Sequence, residues 1–147
     1  KKRIPLMAEN FDLLLSILPF EKEIFANTRL PVVYVGHPLV HRLQSHVYKT
    51  FPFSSEHKII ALFPGSRKKE IERNLPLYLE VSSAIKKRHT DLKIMLSVSE
   101  ERYRPLIKTI LSEKKWKEGA EIDLVPADYS YELMKSAYLA IAKSGTV

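Results

Sequence analysis

The chain has 147 residues and no cysteine, and its 24 Lys plus Arg residues exceed its 17 Asp plus Glu residues, giving a formal net charge of +7. This length predicts one domain, with at most part of a second, and the lack of cysteine excludes disulfides, cysteine-ligated zinc and thiol nucleophiles. The basic balance favours anionic partners such as nucleotides, phosphorylated sugars, nucleic acid or acidic lipid, unless it is only a solvated basic surface.

The first third of the chain predicts two short strands and a connection. Residues 11–17, FDLLLSI, predict a buried strand, and residues 21–26 can form one or two helical turns. A β-branched run at residues 32–35 predicts a second strand, which ends at Gly-His-Pro. Residues 39–57 mix polar and aromatic side chains without a clean period, which is typical of a segment that connects two units.

After residue 57, apolar strands alternate with amphipathic helices. Strands are predicted at residues 58–63, 92–98, 121–125 and 138–142, and helices at about 74–89, 103–111 and 129–136. The first of these helices is expected to begin at Asn74, with Pro76 in its first turn. The alternation predicts an α/β fold with a Rossmann-like parallel sheet and helices on both faces.

The loop after the strand at residues 58–63 carries groups suited to a phosphate. Gly65 allows the backbone to approach a ligand closely, Ser66 supplies a hydroxyl, and Arg67 supplies a planar guanidinium. In an open parallel sheet, ligands bind at the carboxyl ends of the strands, where this loop lies. The alternative is an ordinary turn with an arginine facing solvent.

A second loop follows the last predicted strand at the same edge of the sheet. Ser144, Gly145 and Thr146 form it, and a helix after them would direct free amides towards a diphosphate. Taken alone, this loop is also compatible with a plain turn. Together the two loops predict a site that holds a pyrophosphate from both sides. The sequence stops directly after this loop and lacks an initiator methionine, so we expect the chain to be a fragment of a longer protein.

Other motifs are absent. No G-x-G-x-x-G or Walker A loop follows a strand. His37, His41 and His46 lie close together without a carboxylate among them, so neither a metal site nor a cofactor is predicted. Phe51 and Phe53 are expected to pack at the connection rather than to stack on bases, and no nucleic-acid-binding motif is recognisable.

Four segments in this order resemble the lipid-A-disaccharide synthase family: ILPFEKEIF (17–25), VYVGHPLV (33–40), LFPGSRKKEIERNLPLYLE (62–80) and AIAKSGTV (140–147). The resemblance spans essentially the whole chain. It implies a bacterial glycosyltransferase that moves a diacylglucosamine from its UDP form to diacylglucosamine 1-phosphate (lipid X), giving lipid A disaccharide 1-phosphate and UDP. It also implies the two-domain GT-B architecture, with a nucleotide-sugar cleft between Rossmann-like domains.

By this resemblance, residues 1–38 end the amino-terminal domain, 39–57 connect the domains, and 58–147 are the first half of the UDP-binding domain. Arg67 would lie near the diphosphate with Gly65 and Ser66, and the loop at 144–146 would lie on the opposite side. Glu70 would hold the first loop, and His37 would brace the domain junction or approach the sugar.

The catalytic base would lie in the missing amino-terminal part, so this chain alone is expected to be inactive. The acylated substrates imply a cytoplasmic enzyme, peripheral at the inner membrane of a Gram-negative bacterium, without a nucleic-acid partner. Two alternatives stay open. One is another UDP-N-acetylglucosamine enzyme of the same architecture, an epimerase or the peptidoglycan transferase. The other is a non-catalytic basic module that binds nucleic acid, which would show a steep salt dependence.

Overall fold

The computed structural model describes residues 3–53 and 56–143, and the chain divides into two compact units, with the boundary in the sequence between Val47 and Tyr48. This division falls within the predicted connection at residues 39–57. Among the described residues, none of the helices has both the length and the apolar character that crossing a bilayer requires. The two units are described one after the other.

The first unit is a two-stranded parallel sheet with three short helices. In chain order its elements are α1 (Arg3–Asn10), β1 (Leu14–Ser16), α2 (Glu21–Ile24), β2 (Val32–Tyr34) and α3 (Pro38–Gln44). Strands β1 and β2 pair with Leu15 opposite Val33. Its small core consists of Ala8, Phe25 and Leu30, against which Leu14 and Val32 pack. One face of the small sheet therefore packs, through two partly buried side chains, on the core of this unit.

Helix α3 was not predicted, because it lies inside the segment that showed no clean period. Local chemistry at its start explains it. The ring Nδ1 of His37 accepts a hydrogen bond from the backbone N–H of Leu39 at 3.2 Å, and Pro38 occupies the first helical position. Proline suits that position because its missing N–H would have no intrahelical partner there. A capped helix of 7 residues is too short for periodicity to reveal it.

The second unit contains a four-stranded parallel sheet with the strand order β5-β4-β3-β6. Its elements are β3 (Lys58–Phe63), α4 (Lys68–Arg88), β4 (Leu92–Val98), α5 (Arg104–Glu113), β5 (Ile122–Pro126), α6 (Ser130–Ser136) and β6 (Leu139–Ala142). In register, Leu62 of β3 lies opposite Leu96 of β4 on one side and Ile141 of β6 on the other. The predicted alternation of strands and helices is confirmed.

Helices cover this sheet on both faces, as the continuous apolar strands predict. Successive side chains of a strand point to opposite faces, so Ile60 and Leu62 pack with α4 and α5. Ile59, Ala61 and Phe63 point the other way and pack with Leu133 of α6. The fold class is therefore confirmed as α/β with a parallel sheet flanked by helices, consistent with part of a GT-B glycosyltransferase.

Helix α4 begins six residues earlier than Asn74, the predicted cap, so that prediction was wrong. The helix starts at Lys68, and Pro76 lies inside it. The side chain of Asn74 instead donates a hydrogen bond to the carbonyl oxygen of Pro64 at 2.7 Å. Ile71 and Leu75, on the first two turns, are completely buried, and packing of this kind outweighs the cost of one interior proline.

The segment that enters the second unit is attached to α6. The backbone N–H of Lys49 donates to the carboxylate of Glu132 at 2.9 Å. The rings of Phe51 and Phe53 lie 6.3 and 6.2 Å from the ring of Tyr129, at the start of α6. Both phenylalanines pack against the core of this unit, as expected for hydrophobic packing at the connection.

Candidate functional site

A cleft of about 200 Å³ opens at the carboxyl ends of the four strands of the second unit. At least one residue that lines the cleft comes directly after each of the four strands, and helix α6 contributes two further lining residues. The lining residues are Phe63, Pro64, Gly65, Ser66, Glu70, Ser97, Ser99, Ala127, Ser130, Met134 and Lys143. This is the edge at which open parallel sheets bind their ligands, because strand ends and helix starts leave polar backbone groups there.

The loop between β3 and α4 forms one wall of the cleft and depends on a glycine. Gly65 has a φ of +128°, a conformation that side-chain-bearing residues rarely adopt. A Cβ atom built at Gly65 would lie 2.5 Å from Oε2 and 2.7 Å from Cβ of Glu70. The loop is therefore folded tightly onto the first turn of α4, at a position that only glycine fits without strain.

Glu70 connects the loop after β3 with the residue that follows β6. Its carboxylate accepts a hydrogen bond from the backbone N–H of Ser66 at 3.1 Å. The same carboxylate lies 3.2 Å from Nζ of Lys143, after β6, and 3.7 Å from a guanidinium nitrogen of Arg67. One side chain thus contacts the loop after β3 and the end of the neighbouring strand.

These contacts shift the pKa of Glu70. The hydrogen bond from Lys143 lowers the pKa below the ordinary glutamate value, and the Ser66 amide and the positive charges of Lys143 and Arg67 act in the same direction. Partial burial opposes them but is outweighed. The carboxylate is therefore charged at neutral pH, and it holds two cations beside a cleft whose other polar groups are mostly serine hydroxyls.

Arg67 stands at the rim of the cleft. Its side chain is 82% exposed, and the residue is not among those that line the wall. Arg67 is the residue directly before α4. Its side chain is long and exposed, so the guanidinium can move towards or away from the helix N-terminus. The predicted partner loop at Ser144, Gly145 and Thr146 lies outside the described residues. Strands β3 and β6 are parallel neighbours, so their carboxyl ends, at Phe63 and Ala142, lie at the same edge of the sheet.

Four polar residues of the cleft were missed from the sequence. Lys143 directly follows β6, Ser97 and Ser99 lie at the end of β4, and Ser130 begins α6. The hydroxyl oxygens of Ser97 and Ser130 are 3.1 Å apart and hydrogen bond to each other. The only sequence signal was position, since three of the four lie at or next to the carboxyl end of a predicted strand and Ser130 lies near the start of a predicted helix.

His37 belongs to the first unit and caps a helix there. Its Nδ1 atom accepts a hydrogen bond from the Leu39 amide, and its backbone has the extended conformation that is usual for an N-cap residue. The preceding Gly36 has a φ of +86°, so the Gly-His-Pro turn also depends on a glycine. In residues 3–53 and 56–143, no group of three or more His, Asp or Glu side chains is placed to hold a metal ion.

Comparison with known proteins places the whole chain in one family. Residues 1–147 match the family profile described as Lipid-A-disaccharide synthetase. The chain belongs to the Lipid-A-disaccharide synthetase family. The resemblance seen in the four sequence segments is thereby confirmed.

Individual members of the Lipid-A-disaccharide synthetase family agree with this result. The chain is 35% identical to the lipid-A-disaccharide synthase of Chlamydia pneumoniae over 153 residues and 36% identical to that of Chlamydia abortus over 152. It is 32% identical to that of Campylobacter jejuni over 151 residues. Each alignment covers 99% of this chain but only 24%, 23% and 39% of the respective relative, so the chain spans less than half of their length.

Proposed function

We propose that this chain is part of a glycosyltransferase that moves a diacylglucosamine from its UDP form to diacylglucosamine 1-phosphate, forming lipid A disaccharide 1-phosphate and releasing UDP. The cleft of the second unit binds the UDP part of the donor. The observation that carries this proposal is the convergence of Gly65, Ser66, Glu70 and Lys143 on one cleft at the ends of two neighbouring strands. Relatives that cover the whole chain are named for this activity.

The chemistry of the cleft suits a diphosphate leaving group. Transfer from UDP develops negative charge on the departing diphosphate, and preorganised cations and backbone amides stabilise such charge. The loop at Gly65–Arg67 lies at the N-terminus of α4, a helix of 21 residues, whose dipole favours an anion at that end. Lys143 supplies an ammonium beside Glu70, and Arg67 an exposed guanidinium at the rim.

The two units are proposed to belong to two Rossmann-like domains, with residues 1–38 ending the amino-terminal one and 58–147 beginning the UDP-binding one. The first unit supports this, because β1 and β2 are parallel and expose an apolar face that includes Leu15 and Val33. Such a face suits further elements of a larger domain. A structure of a longer chain in which this face stays uncovered would contradict the assignment.

Acylated substrates place the proposed enzyme at the cytoplasmic surface of the inner membrane, as a peripheral protein. The net charge of +7 supports attraction to acidic headgroups. We expect the chain to sediment with vesicles that contain phosphatidylglycerol, and sedimentation should fall as salt is raised because exposed charges are screened. Binding that is unchanged by salt, or equal on neutral phosphatidylcholine vesicles, would argue against an electrostatic membrane contact.

The UDP site is tested by binding rather than turnover, because the general base is expected in the part of the relatives that this chain does not span. Calorimetric titration should show that UDP binds and that Arg67→Ala weakens binding about tenfold, the effect of losing one charged hydrogen bond. Arg73→Ala removes an exposed guanidinium further along the same helix and should leave the affinity unchanged.

Two results would contradict the site as proposed. If the unmodified chain does not bind UDP, the cleft is not a UDP site. If it binds UDP and Arg67→Ala binds equally well, Arg67 does not contact the diphosphate. A turnover assay serves as a further check, since release of UDP by this chain alone would show that the base lies within it.

A further inference from the structure

One hydroxyl in the wall of the cleft has no partner. The Oγ atom of Ser99 is buried, and within residues 3–53 and 56–143 nothing accepts from it or donates to it. Buried side-chain hydroxyls in native proteins nearly always form a hydrogen bond. An unsatisfied one in the wall of an open cleft is placed to bond to a molecule that enters it.

The neighbouring polar groups of the cleft differ from Ser99 in this respect. The hydroxyls of Ser97 and Ser130 bond to each other, and the Ser66 amide bonds to the carboxylate of Glu70. Ser99 therefore differs from these residues, because its buried hydroxyl has no hydrogen-bond partner in the described part of the chain.

Ser99 and the glycine of the first loop line the same cleft. Strands β3 and β4 are parallel neighbours, with Leu62 opposite Leu96. Gly65 and Ser99 follow these two strands and therefore lie at the same edge of the sheet. This glycine lets the loop backbone approach a ligand closely, so a group bound against the loop would be within reach of the Ser99 hydroxyl.

We infer that Ser99 is a ligand-binding residue whose hydroxyl donates a hydrogen bond to a phosphate oxygen of bound UDP. This inference rests on the proposed function, because it assumes that UDP occupies the cleft. The phosphate is the part of UDP assigned to this end of the cleft, where the Gly65–Ser66 backbone and Lys143 lie. Serine can supply the donor without adding a charge.

Ser99→Ala tests the inference, with Ser82→Ala as the matched control. Ser82 is also buried with an unpartnered hydroxyl in the described residues, but it lies on α4 and does not line the cleft. Neither variant loses an intramolecular hydrogen bond, so neither should melt at a lower temperature than the unmodified chain without ligand. Ser99→Ala should bind UDP about tenfold more weakly, whereas Ser82→Ala should bind UDP normally.

Uridine and inorganic pyrophosphate identify the part of UDP that is contacted. Ser99→Ala should weaken binding of pyrophosphate and leave binding of uridine unchanged. An equal loss with uridine would overturn the phosphate contact and assign Ser99 to the nucleoside. If the unmodified chain binds UDP and Ser99→Ala binds it equally well, the inference fails while the proposed site stands. If the unmodified chain does not bind UDP, the proposed site itself fails.

Discussion

Gly65→Ala is expected to abolish measurable UDP binding and to lower the free energy of unfolding by about 2–4 kcal/mol. Two effects add. Alanine is strained at a φ of +128°, and its Cβ would lie 2.7 Å from the Cβ of Glu70, a contact that swinging the carboxylate away cannot relieve. The loop must therefore move off the helix, which takes the Ser66 amide away from its acceptor. Calorimetric titration with UDP and denaturant unfolding measure the two effects.

Gly119→Ala is the matched control for Gly65→Ala. Gly119 also has a positive φ, +82°, but no atom of the described residues lies within 4 Å of the position its Cβ would occupy, and Gly119 is not among the residues that line the cleft. This control should cost about 1 kcal/mol of stability and leave the affinity for UDP unchanged. Should Gly65→Ala bind UDP as well as Gly119→Ala does, the tight loop would not be needed for binding.

The fold of the second unit was largely predictable because its two central strands, β3 and β4, are mostly buried. Runs such as KIIALF at 58–63 and LKIMLSV at 92–98 match β3 and β4 residue for residue. The start of α4 was less predictable. Asn74 and Pro76 together make a plausible helix start, yet the buried side chains of Ile71 and Leu75 extend α4 back to Lys68. Tertiary packing sets the start of α4, and no local sequence pattern indicates where it lies.

The candidate site was only half predictable, for a similar reason. Gly65 and Glu70 belong to one continuous segment, so a local motif can reveal them. Ser99, Ser130 and Lys143 come from separate segments, which meet only because β4, β5 and β6 are arranged around β3. The strand order β5-β4-β3-β6 cannot be read from hydrophobic patterns, because the same alternation of strands and helices allows other orders.

Glu70 allows the folding role of the first loop to be separated from the charge of the cleft. In Glu70→Gln, the side-chain carbonyl can still accept a hydrogen bond from the Ser66 amide. Lys143 and Arg67 lose their ion pairs with the carboxylate, so their positive charges are no longer neutralised by it. Glu70→Ala removes the acceptor as well. We expect Glu70→Gln to bind UDP at least as tightly as the unmodified chain, and Glu70→Ala to bind about tenfold more weakly than Glu70→Gln because the loop is no longer held.

Glu72→Ala is the control for both variants, since Glu72 lies on the same helix and makes only an exposed pair with Lys68, at 3.8 Å, among the contacts of the described residues. Its affinity for UDP should be unchanged, because such exposed pairs contribute little. Equal weakening in Glu70→Gln and Glu70→Ala would show that the negative charge, and not the acceptor, holds the loop.

The pH dependence of stability gives an independent measurement. Because the pKa of Glu70 is lowered in the folded chain, its carboxylate stabilises the fold above the pKa of an unfolded glutamate, about 4.3. This contribution is lost as the pH falls from there through the lowered pKa. The unmodified chain should therefore melt at a higher temperature than Glu70→Gln at pH 7, and the difference should shrink as the pH falls below about 4.3. A difference that stays constant over this range would show that the Glu70 carboxylate is not held by Lys143 and the Ser66 amide.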